Sequence, residues 1–332
     1  MTQPRILLVG AGTMGSLHAR VIAQSNAASL ATVVDGREDA GRALADRFGA
    51  TWSPEMGDLR DIDAVVIAAS TESHFDLARI VLEAGKPMLI EKPVADSLEK
   101  TLAVVELSET RGVPMMCGLL ERFNPAVITA QALVDDPKFI TATRHSPYAP
   151  RIRTGVGWDL LVHDVDLASR MLGGEPSSIS GALGQFHPLS APNAEDVAEA
   201  VLSFEGGRVA HISASRVGQR KIRNMSVHDL DKLIEIDLLR RDVTVYRHVS
   251  DQPADAEGRG YRQQTVIEIP ELITAQEPLA AQLEHFVALI DGRVDADEER
   301  RSLLPAHRIV EALKRQSSET RTFGEEILNE IR

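Results

Sequence analysis

Over roughly the first 120 residues, short runs of aliphatic and β-branched side chains alternate with longer segments in which apolar positions recur at helical spacing. The runs at 6–9, 31–34, 64–68 and 88–90 are nearly free of polar side chains, as expected of strands buried on both faces of a parallel sheet. Between them, 14–24, 39–48, 73–84 and 97–111 read as helices. Gly85 and Gly112 follow the last two as stop signals, and Asp96 with Glu99 reads as a capping box opening the last. Strand-helix alternation of this kind builds an α/β domain with a doubly wound parallel sheet, because right-handed crossovers lay helices on both of its faces.

After Asn124 the periodicity changes. A helix at 125–134 and a strand at 138–144 precede an irregular Pro- and Arg-rich stretch at 146–157. A helix from 159 to 172 then stops at Gly173-Gly174. From there alternation with period two dominates: 196–204 and 208–215 flank Gly206-Gly207 as a hairpin, and 224–228, 232–237, 243–247 and 265–269 continue an antiparallel sheet. The polar segment 251–260 reads as a loop, and 277–290 and 305–315 as closing helices. The 332 residues exceed one ordinary core. The expected organisation is a Rossmann-like domain at 1–120 and an α+β domain with an open, mostly antiparallel sheet at 121–332.

Composition narrows the function classes. The chain is 43% hydrophobic and 26% charged, with no apolar run of membrane-spanning length, and the first apolar run ends at Gly10, too short for a secretory signal. A single cysteine, Cys117, excludes an intramolecular disulfide and sits in an apolar stretch, as a buried structural thiol would. A soluble, cytoplasmic protein is expected. The net charge of −13 argues against nucleic acid as a partner, which would need many Lys and Arg on phosphates. A small anionic ligand remains compatible, since a helix N-terminus holds phosphate whatever the global charge.

Gly10-Ala11-Gly12-Thr13-Met14-Gly15 is a G-x-G-x-x-G element directly after a predicted strand and opening a helix. It is suited to a tight turn, close backbone approach to a pyrophosphate and tight helix packing, with Thr13 and Met14 beside the ligand. Asp35 ends the second strand 20 residues after Gly15, where a carboxylate accepts hydrogen bonds from ribose hydroxyls, so NAD is expected over NADP. Arg37 could pair with the 2′-phosphate of NADP or be a solvated loop residue. After the third strand, Ser70, Thr71, Ser73 and His74 lie at the carboxyl edge of the sheet, where they either line the cofactor or, for Ser73 and His74, cap and begin the next helix. Glu91-Lys92-Pro93 follows the next strand at the same edge. An ammonium there can bind a substrate hydroxyl and stabilise alkoxide character, and Pro93 biases Lys92 toward extended backbone.

In the second domain, Asp159 and His163 stand at i and i+4, on one helix face. Histidine can take a hydroxyl proton near neutral pH while the carboxylate orients it or binds a neighbouring hydroxyl. Two plain alternatives stay open: Asp159 as a first-turn helix acid, and Asp159, His163 and Asp166 as a metal site or a solvated stripe.

The order G-x-G-x-x-G, then Glu-Lys-Pro, then Asp-x-x-x-His resembles the glucose-fructose oxidoreductase, inositol dehydrogenase and MocA family over nearly the whole chain. The resemblance implies a Rossmann domain joined to an open antiparallel sheet that often mediates oligomers. It implies catalytic roles for Lys92, Asp159 and His163, NAD as cofactor with Glu91 and Lys92 at its edge, and a homodimer or homotetramer. Within the family, Glu121-Arg122-Phe123-Asn124-Pro125, Tyr148-Ala149-Pro150-Arg151-Ile152-Arg153 and Val162-His163-Asp164-Val165-Asp166 resemble the branch that oxidises UDP-N-acetylglucosamine at C3. Arg122, Asn124, Tyr148, Arg151 and Arg153 thereby become candidate substrate contacts, the last two facing a diphosphate or solvent. The sequence departs from the commoner pattern in having Val156 where a third glycine often stands and Trp158 before the aspartate. Competing expectations are a polyol or free-aldose dehydrogenase, an NADP-linked ketosugar reductase, and a regulatory protein that binds the dinucleotide without turnover. No metal is expected.

Overall fold

The computed structural model describes residues 3–150, 152–251 and 262–330. Backbone contacts divide the chain into two units, one of residues 1–123 with 276–311, the other of 124–275 with 312–332.

In the first unit, strands β1 (Arg5–Val9), β2 (Ser29–Val34), β3 (Thr51–Ser53), β4 (Ala64–Ile67), β5 (Met88–Glu91) and β6 (Met115–Gly118) form one sheet, ordered β3-β2-β1-β4-β5-β6 and parallel throughout. Every residue of β4, β5 and β6 is buried, which explains why they carry apolar runs rather than alternation. Each fully buried aliphatic side chain contributes about 1.5–3 kcal/mol. Helices α1 (Thr13–Gln24), α2 (Glu38–Phe48), α3 (Thr71–Glu83) and α4 (Leu98–Arg111) connect the strands. Two strands escape the sequence pattern: β3 has only three residues, and β6 lies within the apolar stretch that holds buried Cys117. Two helix starts also differ. α3 begins at Thr71 with Ser70 at its N-cap, so Ser73 falls in the first turn and does not cap. For α4 the cap is Ser97, whose Oγ accepts the Lys100 amide at 3.2 Å, while the Asp96 carboxylate pairs with Lys100 Nζ at 2.9 Å in place of the expected box.

Helices α5 (Pro125–Leu133) and α6 (Val162–Leu172) belong to the second unit, whereas α7 (Pro278–Ile290) and α8 (Ala296–Ser302) return to the first. The sequence reading assigned 277–290 to the second domain. The reason for its return is packing: Leu279, Leu283, Phe286 and Leu289 join Ile6, Leu8, Ile22 and Leu44 in one apolar cluster, and Glu277 pairs with Arg20 on α1 at 2.5 Å. α9 (Leu304–Glu330) is longer than expected, with residues up to Glu311 in the first unit and the remainder in the second.

The second unit holds an eight-stranded sheet made of β7 (Phe139–His145), β8 (Ser178–Gly184), β9 (Val197–Ser203), β10 (Val209–Ser215), β11 (Ile222–His228), β12 (Leu233–Asp237), β13 (Asp242–Asp251) and β14 (Arg262–Glu268). Its order is β14-β13-β12-β11-β7-β10-β9-β8, antiparallel except between β7 and β10. The hairpin between β9 and β10 turns through Gly206 and Gly207, both at positive φ. On β9, Ala198, Ala200 and Leu202 are buried while Val197, Glu199 and Val201 face outward, as period two requires. β8, rich in Ser, Gly and Ala, lacks the apolar alternation that marks a strand; Gly181 permits its close approach, since a Cβ there would lie 2.0 Å from the Glu199 carbonyl oxygen. Nearly all of the predicted 251–260 loop, and Arg151, lie outside the described residues. Among the described residues no helix is long and apolar enough to cross a membrane.

Candidate active site

In the first unit the three glycines do different things. Gly10 has φ +105°, and a Cβ there would sit 2.5 Å from the Ala68 carbonyl oxygen. A Cβ on Gly15 would lie 1.9 Å from the Gly10 carbonyl oxygen, so this glycine lets α1 pack against the turn. Gly12, the N-cap of α1, has no heavy atom within 4 Å of an added Cβ, so open space lies over the helix N-terminus. Thr13 is exposed and Met14 partly so. An exposed backbone N-terminus with its positive dipole end is what a pyrophosphate needs, and the residues present fit a dinucleotide.

Asp35 closes the other side of this turn. Its Oδ2 accepts the Ala11 amide at 2.7 Å and its Oδ1 the Arg37 amide at 2.9 Å, and the Arg37 guanidinium meets both oxygens at 3.1 Å. Burial pushes the Asp35 pKa up, but the Arg37 hydrogen bond and the two amides prevail and hold it below the usual carboxylate range. An ionised Asp35 can accept ribose hydroxyls and repels a 2′-phosphate. Asp35→Ser is therefore expected to weaken NAD binding by about tenfold and to narrow the preference over NADP, with Arg37 then released to meet the phosphate. Titrating both nucleotides by tryptophan fluorescence checks this, and unchanged NAD affinity would exclude the role.

At the carboxyl edge of the sheet the structure separates the candidates. Ser70 is exposed and Thr71 partly exposed at the start of α3, in reach of a ligand. His74, however, is buried and is neither an exposed first-turn residue nor a surface for the cofactor. Its Nδ1 donates to the Pro93 carbonyl at 2.8 Å and its Nε2 lies 3.3 Å from that of Ala69. Burial depresses its pKa, and the two carbonyls only partly offset this. The folded chain thus binds a proton at His74 less readily than the unfolded chain. Stability is unaffected by this group above the ordinary histidine pKa of about 6.5 and falls as pH drops through it. The acid-side loss of Tm is expected to be smaller in His74→Asn than in the parent, measured by thermal unfolding from neutral to mildly acidic pH.

Glu91 is also turned inward. It is 7% exposed, its Oε1 lies 2.8 Å from His18 Nε2, and a Cβ on Gly118 would sit 2.8 Å from its Oε2. Expected beside the cofactor, it anchors the turn instead. Lys92 follows, partly exposed, before a cis peptide bond to Pro93. Arg122 and Asn124, expected at the substrate, have structural partners: Arg122 donates to Ser302 Oγ at 2.7 Å and to its carbonyl at 2.9 Å, while Asn124 caps α5 through the Ala126 amide at 3.1 Å and donates to Leu238 O at 3.1 Å. An N-terminal cap before Pro125 was legible in the sequence; a guanidinium partner 180 residues away was not.

In the second unit, α6 is preceded by a π-helical turn, Gly157–Leu161, which contains Asp159. π-turns of this kind are frequent at functional sites. His163 is partly exposed in the first turn of α6, and Asp159 keeps a side-chain exposure of 20%. The residue after His163 is tied down strongly: Asp164 takes two hydrogen bonds from Arg144 on β7, both 2.8 Å, with both side chains almost fully buried. Asp166 is buried, so the stripe is not a solvated face, and among the described residues no group of three His, Cys, Asp or Glu side chains is placed to hold a metal ion.

Two residues absent from the sequence reading organise this site. Arg216, buried at the end of β10, donates to the carbonyls of Ile152 (3.5 Å) and Thr154 (2.5 Å) and stands 3.6 Å from Asp159 Oδ2. Glu195 accepts the Gly157 amide at 2.9 Å, and a Cβ on Gly155 would fall 2.1 Å from its carboxylate, so a side chain there would displace Glu195 from its place. Val156 and Trp158, the departures from the commoner pattern, are buried core residues. Arg153 is exposed, and Tyr148 stacks on His187 with ring centroids 3.5 Å apart and planes 10° from parallel. Only long-range pairing discloses Arg216 and Glu195; neither sits in a local motif.

Comparison with known proteins agrees with this layout. Residues 4–119 match the oxidoreductase family with an NAD-binding Rossmann fold, GFO_IDH_MocA, and residues 126–231 match a GFO/IDH/MocA C-terminal domain. The chain is 29% identical to the UDP-N-acetylglucosamine 3-dehydrogenase of Acidithiobacillus ferrooxidans over 87% of this chain and 90% of that protein. It is 31% identical to the scyllo-inositol 2-dehydrogenase (NAD(+)) of Bacillus subtilis over 64% of this chain and 68% of that one. A solved structure of the Acidithiobacillus ferrooxidans enzyme superposes with a TM-score of 0.82 at 25% identity, covering 96% of this chain and 98% of that one. The glycine turn with Asp35, the Glu-Lys-Pro turn and the two-sheet architecture thus coincide with the family's extent, and the chain is an NAD-binding dehydrogenase of the GFO/IDH/MocA oxidoreductase family.

Proposed function

We propose that this dehydrogenase oxidises a secondary hydroxyl on a ring carbon of a nucleotide sugar, with UDP-N-acetylglucosamine oxidised at C3 as the first candidate. The observation that carries the reading is the similarity to the Acidithiobacillus enzyme along 87% of the chain, together with an exposed Arg153 and a Tyr148 stacked on His187. NAD, when bound over Gly12 with Asp35 at its ribose, supplies the hydride acceptor. His163 takes the hydroxyl proton as the carbon is oxidised and passes it to water. Lys92 is assigned to a substrate hydroxyl, whose developing negative charge its ammonium stabilises, and Asp159, with Arg216 as its counter-ion, is assigned to binding a hydroxyl. Arg151 and Arg153 are assigned to the diphosphate. The outward row of β9 with Val197 and Val201 suits a homodimer or homotetramer formed through the sheet.

The test is formation of reduced nicotinamide by the purified protein with NAD, given UDP-N-acetylglucosamine, myo-inositol and free glucose in parallel. Turnover of the nucleotide sugar alone supports the proposal. The 31% identity to an inositol dehydrogenase favours a second reading, a polyol dehydrogenase, which turnover of inositol alone would select.

A further inference from the structure

Three buried histidines from three different helices converge on the four residues that contain Lys92. His18 on α1 bonds the Glu91 carboxylate at 2.8 Å. His74 on α3 donates from Nδ1 to the Pro93 carbonyl at 2.8 Å. His307 on α9 accepts the Val94 amide at Nε2, 3.2 Å, while its Nδ1 donates to the Leu303 carbonyl at 2.8 Å. Their exposures are 3%, 1% and 0%. The last pattern fixes a tautomer, because an acceptor at Nε2 and a donor at Nδ1 describe one neutral form of the ring.

An apolar side chain would fill each position without the cost of burying an imidazole, a cost that only a satisfied hydrogen bond offsets. What they share is the target. The contacts fall immediately before Lys92, through Glu91, and immediately after it, through Pro93 and Val94. They engage a side chain, a carbonyl and an amide, which together determine where the backbone of the turn lies. His18 also stands on the helix that begins at Gly12, so the element that receives the dinucleotide phosphate is tied to the lysine turn through one hydrogen bond. His74 further links that turn to Ala69, at the end of the neighbouring strand.

We infer that His18, His74 and His307 are positioning residues that clamp the 91–94 turn and so hold the Lys92 ammonium where it meets the substrate oxygen. This rests on the reading of Lys92 as the group facing that oxygen. Displacement of such a group by about 1 Å costs on the order of a hundredfold in rate, so a clamp of this kind acts on turnover even though no ring touches substrate.

The experiment compares His74→Leu with His74→Asn and His307→Leu with His307→Gln in the full chain. Leucine keeps the bulk and removes the bond, whereas the Asn nitrogen replaces the Nδ1 donor and the Gln oxygen replaces the Nε2 acceptor. Lys92 is followed directly by NMR of the reductively ¹³C-methylated protein, its resonance assigned by loss in Lys92→Arg. In the leucine variants the Lys92 resonance is expected to shift and kcat/KM to fall on the order of ten- to a hundredfold with NAD affinity retained, and both are expected to recover in the Asn and Gln variants. Parent-like resonance and turnover in the leucine variants would overturn the clamp, as would equal losses in the leucine and amide variants. Should a leucine variant not fold, His18→Leu against His18→Gln supplies the same comparison from α1. A Lys92 resonance that responds as expected, in a protein that turns over none of the sugars or polyols, would uphold the clamp and sink the functional proposal alone.

Discussion

His163→Ala is expected to lower kcat by about two to four orders of magnitude while leaving NAD affinity at the parent value. A positioned general base contributes about that much, because the hydroxyl proton must leave as the carbon is oxidised and water is a poor acceptor for it. Under the proposed role the imidazole serves as the proton acceptor, whereas the groups proposed to hold the dinucleotide are Gly10 to Gly15 and Asp35. Steady-state rates with the preferred sugar, set beside fluorescence titration of NAD, check the prediction. Turnover within about threefold of the parent would mean that another group takes the proton. A fall in NAD affinity of the same size as the fall in rate would mean that the variant damages binding and not the chemical step.

The second large effect concerns the residue that follows His163 in the chain. Arg144 and Asp164 form a two-pronged pair with side-chain exposures of 2% and 1%. Removing one partner leaves the other charge buried without its two-pronged counter-ion, and Arg144→Met or Asp164→Leu is each expected to cost about 3–5 kcal/mol of folding stability. The double variant replaces both charges by apolar groups of similar volume and is expected to recover most of that loss, since the two desolvation costs vanish with the attraction. Chemical denaturation of the two single variants and the double variant measures the coupling. Independent losses that simply add would show that the pair contributes nothing through its mutual contact. Recovered stability combined with low turnover in the double variant would assign Asp164 a second duty, orienting the helix turn that presents His163.

Much of the architecture was legible because the signals are local. Apolar runs of strand length marked β1, β2, β4 and β5, and the spacing of Gly10, Gly12, Gly15 and Asp35 marked a dinucleotide turn whose three glycines the structure finds doing three different things. Elements with weak local signals were missed: β3 is three residues long, β8 is made of small residues, and α8 is a seven-residue polar helix. The π-turn at Gly157–Leu161 has no sequence signature either; its start two residues before the expected helix depends on Glu195 accepting the Gly157 amide.

Site chemistry divided along the same line. Residue types drew attention to Lys92, Asp159 and His163 with plain alternatives open, and only the resemblance to a known family made them catalytic candidates. Spacing along the chain carries no information about whether a polar side chain points outward or in. Glu91 and His74, placed by sequence at the cofactor, point inward to His18 and to the Pro93 carbonyl; Arg122 is engaged by Ser302. The sequence by itself therefore determined the strand-helix alternation of β1, β2, β4 and β5 and the glycine turn with its acidic residue, since each is written in neighbouring residues. Which helices return to complete the first core, which carboxylates are buried, and that Arg216 and Glu195 bond the segments flanking Asp159 while three histidines bond residues 91–94 were decided only by the tertiary structure, because their partners lie far away along the chain and a hydrogen bond leaves no periodic trace in it.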